Sequence, residues 1–314
     1  MNETASPGGS RVRRIMTAAG VTLTLLLAAG AGCDSQQQRK LPSVQEKIEE
    51  SHLAGQAKIK IGVSDNEPLM ADLDHGVYRG FDIEIARYIA DSLGYESDER
   101  IEFVPTTTEE RIPALQGGRV DIVVSSFSMT EERAKLVSFA GPYFVTTQEV
   151  LVPVGLKDKI RTIEDLRNPA YRVCTSGGST SERELANHRI DALVVQTVGE
   201  CVQGMLNGRY HALSSDQTIL AGFLSQYQGR FQLVQMPFGT SELLGVGVPI
   251  TDPALRDLVA FFLQKSYEAG RKGQASPWQT AYNNTLGRWL GPENTQPPPQ
   301  QVPELVDFDD KAPR

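Results

Sequence analysis

The chain has 314 residues and a formal net charge of −8, with 31 Lys and Arg against 39 Asp and Glu. This length suffices for one large or two medium-sized domains, and the acidic balance argues against nucleic acid as a partner. The hydrophobic fraction of 40% is that of an ordinary globular protein.

The N-terminal segment predicts export. Residues 1–32 carry an arginine-rich region and then 18 apolar or small residues that end directly before Cys33. The pattern resembles a lipoprotein signal, in which 1–32 is a signal peptide and Cys33 carries the lipid, although Gly30 stands where leucine is usual. A single membrane-spanning anchor is the alternative, at the short end of the length that a bilayer requires. Either interpretation places the folded part outside the cytoplasm, at the outer face of the cell membrane.

Two polar segments flank the folded part. Residues 33–56 begin with a glutamine-rich run, and their stretch 44–53 predicts a helix, so we expect a lipid-attached tether and a leading helix. Residues 291–314 are rich in proline and acidic residues, which predicts a disordered tail.

Between these segments, strand and helix patterns alternate. Strands are predicted at 59–63, 101–104, 120–124, 172–175, 193–195 and 212–214. Helices are predicted at 81–93, 112–116, 181–187, 198–206, 219–227, 255–269 and 277–290. Asp82 and Gly94 are a candidate cap and stop for the first of these helices. The rhythm predicts an α/β protein with open sheets, in which ligands bind beyond the carboxyl ends of strands.

Two segments at such strand ends carry opposite charges. Residues 125–133 offer hydroxyls, backbone donors and the Arg133 guanidinium, which suit a carboxylate, with Thr130 as the N-cap of a short helix. Residues 212–216 end in Asp216, which suits an ammonium. A ligand with both charges on one carbon would bridge them. The alternatives are a surface ion pair for Arg133, with Glu131 or Glu132, and helix capping for Asp216.

Other polar features lie at similar places. The Gly-rich turn 176–181 precedes a predicted helix with Ser181 and Glu184 as its capping box, and such a turn exposes N–H donors to an anion. A plain flexible turn is the alternative, and no phosphate-loop lysine follows it. Asp65 follows the first strand, with the same capping alternative as Asp216.

The cysteines allow one disulfide. If Cys33 is lipidated, Cys174 and Cys201 remain, and in an oxidising compartment they can pair; two buried free thiols are the alternative. The histidines show no ligand spacing with these cysteines, and no arrangement for nucleophilic catalysis emerges. We therefore expect neither a metal nor a cofactor.

Over roughly residues 55–290 the chain resembles the polar-amino-acid solute-binding proteins of ABC importers, family 3. The resemblance is carried jointly by Tyr-Arg-Gly-Phe-Asp at 78–82, by 112–115 with 120–121, by Met-Thr-Glu-Glu-Arg at 129–133, by Phe-Ala-Gly-Pro-Tyr at 139–143 and by 173–181 with Asp216. Within the family, it is most similar to actinobacterial glutamate, glutamine and aspartate-binding lipoproteins, through 173–175 with Cys201, 216–222 and the Pro-rich tail.

The resemblance implies a two-lobed fold of the type II periplasmic-binding-protein class, with two open α/β sheets joined by a two-strand hinge. Lobe 1 would comprise 57–147 plus 241–290, and lobe 2 would comprise 148–240. It also implies a monomer that closes around a free amino acid and docks on a membrane permease.

The resemblance also implies residue roles. Arg133 would bind the ligand α-carboxylate with help from Ser128 and Thr180, and Asp216 would bind the α-ammonium with the carbonyl of Ser126. Ser176 belongs to the second-lobe line, and Asp65 would line the cleft.

The chain departs from many relatives, because neither 66–70 nor 106–109 supplies an aromatic residue to the cleft. A cleft with more hydroxyls suits an acidic or amide side chain. Arg111 or Arg79 could neutralise a side-chain carboxylate, and for both a plain surface charge is the alternative.

We therefore expect a non-catalytic binding protein for glutamate, aspartate or glutamine that serves an ABC importer. One alternative is a sensor that feeds a signalling pathway without transport. A less favoured alternative is a cyclohexadienyl-dehydratase-like enzyme, for which Asp65 or Glu109 would have to act as the general acid.

Overall fold

The computed structural model describes residues 40–236, 239 and 241–308. The predicted signal peptide 1–32 and the predicted lipid attachment at Cys33 lie outside the described residues, as do residues 34–39 of the predicted tether. Within the described ranges, no helix combines the length and the apolar character that crossing a bilayer would need.

Strands and helices alternate along the described chain. The strands are β1 (Ile59–Val63), β2 (Asn66–Glu67), β3 (Ala71–Asp74), β4 (Val77–Arg79), β5 (Ile101–Pro105), β6 (Ile122–Val123), β7 (Ser138–Thr146), β8 (Gln148–Pro153), β9 (Val173–Ser176), β10 (Ala192–Val195), β11 (Ala212–Asp216), β12 (Phe231–Val234) and β13 (Glu242–Val248). The helices are α1 (Val44–Glu50), α2 (Phe81–Ser92), α3 (Arg111–Gln116), α4 (Glu131–Ala134), α5 (Ile163–Leu166), α6 (Thr180–Asn187), α7 (Val198–Leu206), α8 (Gln217–Gln226), α9 (Pro253–Arg271), α10 (Pro277–Asn284) and α11 (Gly287–Leu290).

Two five-stranded sheets organise the molecule. The first has the order β5-β1-β6-β13-β7, with β1 parallel to β5 and β6 and with β13 antiparallel to β6 and β7. The second has the order β10-β9-β11-β8-β12, with β9 parallel to β10 and β11 and with β8 antiparallel to β11 and β12. We call the parts built on these sheets lobe 1 and lobe 2. Two open α/β sheets confirm the predicted fold class.

The chain passes between the sheets twice. Thr147 alone separates β7 of the first sheet from β8 of the second, and the return runs from β12 to β13. The spacing of apolar residues did not predict these four strands, because each is buried on both faces or pairs antiparallel with partners distant in sequence. The two crossings place the carboxyl ends of β6, β9 and β11 beside one another, which positions the candidate site.

An aromatic cluster anchors the core of lobe 1 beneath α2. Phe81 packs edge-on against Phe144 and Trp278, and Trp278 stacks on Tyr282 with ring centroids 5.1 Å apart. All four side chains are buried. The predicted helix 277–290 is interrupted after Asn284, where Thr285 leaves helical backbone geometry, and it forms α10 and α11 instead.

The prediction of Asp82 as a helix cap is wrong. Gly80 occupies the N-cap position of α2, and Asp82 is fully buried inside the first turn. Its carboxylate accepts hydrogen bonds from Ser126 N (2.7 Å) and from the Tyr143 hydroxyl (2.8 Å). In a sequence, an acidic residue in the first turn of a helix is expected to interact with the helix dipole. Here the Asp82 carboxylate is instead a buried acceptor for the backbone of Ser126, beyond the end of another strand. Gly94 does end the helix region, with a φ of 91°.

The prediction of a disordered tail is wrong for residues 291–308. Residues 292–308, here called the C-terminal strap, run along lobe 1 and bury Gln296 and Leu305. Gln296 Nε2 donates to the carbonyl of Leu263, and the backbone N–H of Gln300 donates to the carbonyl of Gly141. A polar, Pro-rich segment can thus be fixed in place by a few buried side chains and a few backbone hydrogen bonds. Amino-acid composition does not predict such contacts. The final residues, 309–314, lie outside the described part.

The predicted leading helix forms as α1, and it packs on α9. Ser43 and Glu46 make a complete capping box at its start. Ser43 also forms a β-bridge with Val306 of the C-terminal strap, and Val44 N donates to the Val306 carbonyl. The two ends of the described chain therefore meet on lobe 1.

Candidate functional site

Arg133 lies at the end of the polar segment that follows β6. Thr130 is the N-cap of α4, as predicted, and its hydroxyl accepts from the Arg133 backbone N–H at 3.3 Å. The guanidinium donates through Nη1 to the Ser128 carbonyl and through Nη2 to the Gly178 carbonyl, each at 3.0 Å. It forms no ion pair with a described residue, and Glu132 instead pairs with Arg183 at 3.2 Å. The surface ion pair considered as an alternative for Arg133 is therefore not present.

Gly178 belongs to the Gly-rich turn between β9 and α6, so Arg133 of lobe 1 touches lobe 2 directly. Ser179, not Ser181, caps α6: its hydroxyl accepts from Glu182 N at 3.0 Å and donates to the Ser176 carbonyl at 2.7 Å. The predicted capping box of Ser181 and Glu184 is therefore wrong, because the helix begins one residue earlier, and Glu182 accepts from Gly178 N at 2.7 Å. Thr180 is buried at the first position of α6.

Asp216 ends β11 and stands at the N-cap position of α8, but its side chain makes no capping hydrogen bond. Its exposed fraction is 4%, and the carboxylate accepts no hydrogen bond and forms no ion pair with a described residue. Burial raises its pKa well above the ordinary value, the carboxylates of Glu242 and Glu67 add to this rise, and Arg111 and Arg133 oppose it. The capping alternative is therefore excluded, and Asp216 is a buried acid that faces the cations of the cleft.

The pKa of Arg133, which carries the opposite charge, is also shifted toward the neutral form. Burial lowers the pKa of Arg133 to about 10, the neighbouring Arg111 adds to this effect, and Glu242 and Asp216 oppose it. Each group thus lies in the electrostatic field of the other, one from each lobe. Charged groups buried without a partner are costly, and a ligand with complementary charges removes that cost.

Ser126 connects this pair to a second layer of polar groups. Its backbone has a φ of 42°, a strained conformation for a residue other than glycine, and the Asp82 carboxylate holds its N–H. Its hydroxyl lies 3.2 Å from both Glu67 Oε2 and Asp82 Oδ2. Burial raises the pKa of Asp82 to about 7. The segment that follows Ser126 bonds to β13, through Gly245 N to the Phe127 carbonyl and through a bridge between Ser128 and Leu244.

Arg111 and Arg79, the two candidates for a side-chain counter-charge, differ sharply. Arg111 begins α3 and is 4% exposed, with its guanidinium 5.7 Å from the centroid of Phe127 and its Nη2 3.9 Å from Glu67 Oε1. Arg79 lies exposed on β4 and pairs with Asp74 at 3.3 Å. The structure therefore brings Arg111 to the cleft and leaves Arg79 as the surface charge named as its alternative.

A cavity of about 320 Å³ opens beside Arg111. Lobe 1 contributes Asp65, Glu67, Arg111 and the three threonines 106–108, and lobe 2 contributes Thr197. Asp65 is half-buried and accepts from Asn66 Nδ2 at 2.8 Å, so it lines the cleft rather than capping a helix. Most of the lining residues are polar, with Pro105 and Val198 as the apolar ones. No group of three or more His, Cys, Asp or Glu among the described residues is arranged to hold a metal ion.

Further contacts hold the lobes together around this site. Glu132 of lobe 1 pairs with Arg183 of lobe 2, and Gln148 at the start of β8 donates to Glu242 at the start of β13 at 2.8 Å. Within lobe 2, Cys174 of β9 and Cys201 of α7 form a disulfide, as predicted, and both are fully buried. This bond fixes the strand that leads into the Gly-rich turn.

Sequence reasoning missed the acids Glu67, Asp82 and Glu242 and the phenol of Tyr143. Tyr143 and Asp82 lie inside segments singled out for the resemblance, which was the available signal. Glu67 lies in a short polar stretch, Asn-Glu-Pro, with nothing in its spacing to indicate burial.

A family model for bacterial extracellular solute-binding proteins, family 3, matches residues 59–276. The chain belongs to this family. The family resemblance stated from the sequence is thereby confirmed, and so are a solute-binding role and an extracytoplasmic location, which the family shares.

Several individual relatives are named as amino-acid-binding proteins. The glutamate-binding protein GluB of Corynebacterium glutamicum is 32% identical over 202 residues, which cover 61% of this chain and 67% of that protein. The ABC transporter glutamine-binding protein GlnH of Bacillus subtilis is 31% identical over 267 residues, 83% of this chain and 94% of that protein. The solved structure of an ancestral arginine-binding protein bound to glutamine superposes with a TM-score of 0.65 at 28% identity, covering 76% of this chain and 99% of that one.

Proposed function

We propose that this protein binds a free polar amino acid between its lobes, either glutamate, aspartate or glutamine, and delivers it to an ABC importer. The observation that carries the proposal is the pair formed by Arg133 and Asp216. Asp216 is buried and Arg133 is half-buried, they come from opposite lobes, and neither forms an ion pair with a described residue. A zwitterion supplies the partner that each of them lacks.

The geometry supports a role for each residue. Arg133 binds the α-carboxylate in the proposed complex, because its guanidinium is already oriented by the carbonyls of Ser128 and Gly178. Thr180 and Ser176 supply the lobe 2 side of that subsite. Asp216 binds the α-ammonium, together with the carbonyl of Ser126.

The proposed location is the outer face of the cell membrane, with a lipid on Cys33 and residues 34–43 as the tether. A monomer that closes on its ligand and docks on a permease fits this arrangement, and the Bacillus subtilis relative is named as an ABC transporter component. Loss of labelled glutamate or glutamine uptake on deletion of the gene is the expected result, and unchanged uptake would favour the sensor alternative.

We also propose that the protein is not an enzyme. A dehydratase needs a general acid in the cleft, and Glu67 is a buried carboxyl that lines the cavity beside Arg111. Purified protein incubated with an acid of the prephenate class should show no turnover. Turnover that disappears in Glu67→Gln would overturn this part of the proposal.

Calorimetry tests the binding proposal. A thermal-shift screen of the twenty amino acids first identifies ligands, since a ligand bound only by the folded form raises the melting temperature. Arg133→Ala and Asp216→Ala should each weaken the best ligand by at least about 30-fold, because truncating one partner of a buried charge pair costs about 2–5 kcal/mol. Arg167→Ala, an exposed arginine of lobe 2, serves as the matched control. Affinity within about threefold of the wild type in Arg133→Ala would overturn the assignment.

A further inference from the structure

Arg111 and Glu67 form a second buried charge pair directly beside the proposed amino-acid clamp. Their side chains are 5% and 6% exposed, and Arg111 Nη2 lies 3.9 Å from Glu67 Oε1. This separation is beyond hydrogen-bond distance, so the two groups face each other without saturating each other. The Nε of Arg111 is buried and has no hydrogen-bond partner among the described residues.

The pair is connected to the clamp through two residues. The ring of Phe127 contacts both guanidinium groups. Its centroid lies 5.1 Å from the guanidinium carbon of Arg133 and 5.7 Å from that of Arg111. The hydroxyl of Ser126 donates to Glu67. Arg111 and Glu67 also line the 320 Å³ cavity, which none of the clamp residues lines, so the cavity adjoins the clamp through these two contacts. The side chain of an amino acid held by the clamp would extend toward this cavity.

The cavity offers a donor on one side and an acceptor on the other. A carboxamide presents a carbonyl oxygen and an NH₂ group on one planar carbon, which match Arg111 and Glu67 respectively. A carboxylate presents acceptors to both, so one of its oxygens faces the Glu67 carboxylate. An ammonium or guanidinium would meet the positive charge of Arg111. Such mismatches leave buried polar groups unpaired, which is the strongest basis for discrimination between similar ligands.

We propose that Arg111 and Glu67 together form a side-chain subsite that selects a carboxamide, so that glutamine or asparagine is bound ahead of glutamate or aspartate. Glu67 is the specificity-determining residue of the two, because it is the group that a side-chain carboxylate would meet. This inference rests on the proposed function and narrows its ligand class to the amides.

Titration calorimetry of the wild type and of Glu67→Gln, with glutamine and with glutamate as the two probes, tests the inference. The wild type should bind glutamine at least about tenfold more tightly than glutamate. Glu67→Gln removes the charge without changing the size of the side chain, and it should shift the affinity ratio toward glutamate by at least about tenfold. The control is Glu110→Gln at the rim of the cavity, where the carboxylate accepts from Thr107 N at 2.9 Å and lies 3.6 Å from Arg119. The control should leave the ratio within about threefold.

Tighter wild-type binding of glutamate than of glutamine would overturn the inference, and so would an unchanged ratio in a folded Glu67→Gln. If Glu67→Gln does not fold, Arg111→Gln replaces it, and that variant should weaken glutamine by at least about tenfold; unchanged glutamine affinity would overturn the inference. These results differ from failure of the proposed function itself. That failure would be a wild-type protein that binds none of the twenty amino acids.

Discussion

Arg111 and Arg133 place their guanidinium carbons 5.7 and 5.1 Å from the centroid of one ring, that of Phe127. A buried cation, Arg111, and a half-buried one, Arg133, thus contact the same aromatic ring after the end of β6. The arrangement explains why Arg111 is, next to burial, the largest cause that lowers the pKa of Arg133. It also explains why an anionic group of a ligand is attracted to this part of the cleft.

Loss of the shared ring should weaken ligand binding. A cation over an aromatic face is stabilised by about 0.5–2 kcal/mol, so Phe127→Leu should reduce amino-acid affinity by about threefold to thirtyfold. Calorimetry measures this. Phe139→Leu is the matched control. Phe139 packs edge-on against Phe127 with ring centroids 4.9 Å apart, and no guanidinium of a described residue lies over its ring. Equal effects of the two substitutions would show that ring packing alone is involved.

The ion pair between Glu132 and Arg183 should act on the lifetime of the closed form. It links lobe 1 to lobe 2 at 3.2 Å and is exposed, so its contribution is screened by salt. Arg183→Glu should increase the rate of ligand release at low ionic strength, and the increase should shrink as salt is added. Stopped-flow measurement of release rates at two salt concentrations decides this. A rate increase independent of salt would contradict the electrostatic explanation.

The stability of lobe 1 should depend on pH through His52. Its ring bonds to Asp121 at 2.8 Å and to Asp252 at 2.5 Å, and these bonds raise its pKa from 6.5 to about 9. Since the folded pKa lies above the unfolded one, this stabilisation is fully present below about pH 6.5 and is lost as pH rises through about 9.

Melting temperatures of the wild type and of His52→Gln, compared between pH 6 and pH 10, measure this effect. The two proteins should differ most at the acidic end and converge above pH 9. His75→Gln is the control, because His75 is almost fully exposed. A constant difference at every pH would show that the ring acts through packing and not through its charge.

The C-terminal strap should contribute to stability without affecting the ligand. Gln296 is 7% exposed, accepts from Ser266 Oγ at 2.9 Å and donates to the Leu263 carbonyl at 2.9 Å. Gln296→Ala leaves these buried groups unpaired, which should lower the free energy of unfolding by about 1–3 kcal/mol. Urea denaturation measures the loss, and calorimetry should show unchanged affinity. Gln300→Ala is the control, since Gln300 bonds to Gly141 through its backbone.

Local sequence signals predicted much of the fold. The bounds of α7 are those expected, because Thr197 caps its start and Gly208 follows its end with a φ of 71°. Arg133 and Asp216 could be identified because each lies where a strand is followed by a helix. At such a place a charged side chain suggests a ligand.

The residues that were missed depend on contacts distant in sequence. Glu67 is buried because Ser126 and Arg111, 59 and 44 positions away, close over it. Asp82 serves Ser126 rather than its own helix, and the C-terminal strap is held by the buried side chains of Gln296 and Leu305 and by backbone bonds to Gly141 and Val44. No periodicity or composition reports such pairings.

The β-bridge between Ser43 and Val306 has a mechanical consequence. Both ends of the described chain are fastened to the same half of the molecule, through α1 on one side and Gly141 and Leu263 on the other. A pull exerted through residue 40, toward whatever surface holds the protein, is borne by that half. The half that contains Asp216 carries no such load, and it is joined to the anchored half through the two crossings of the chain.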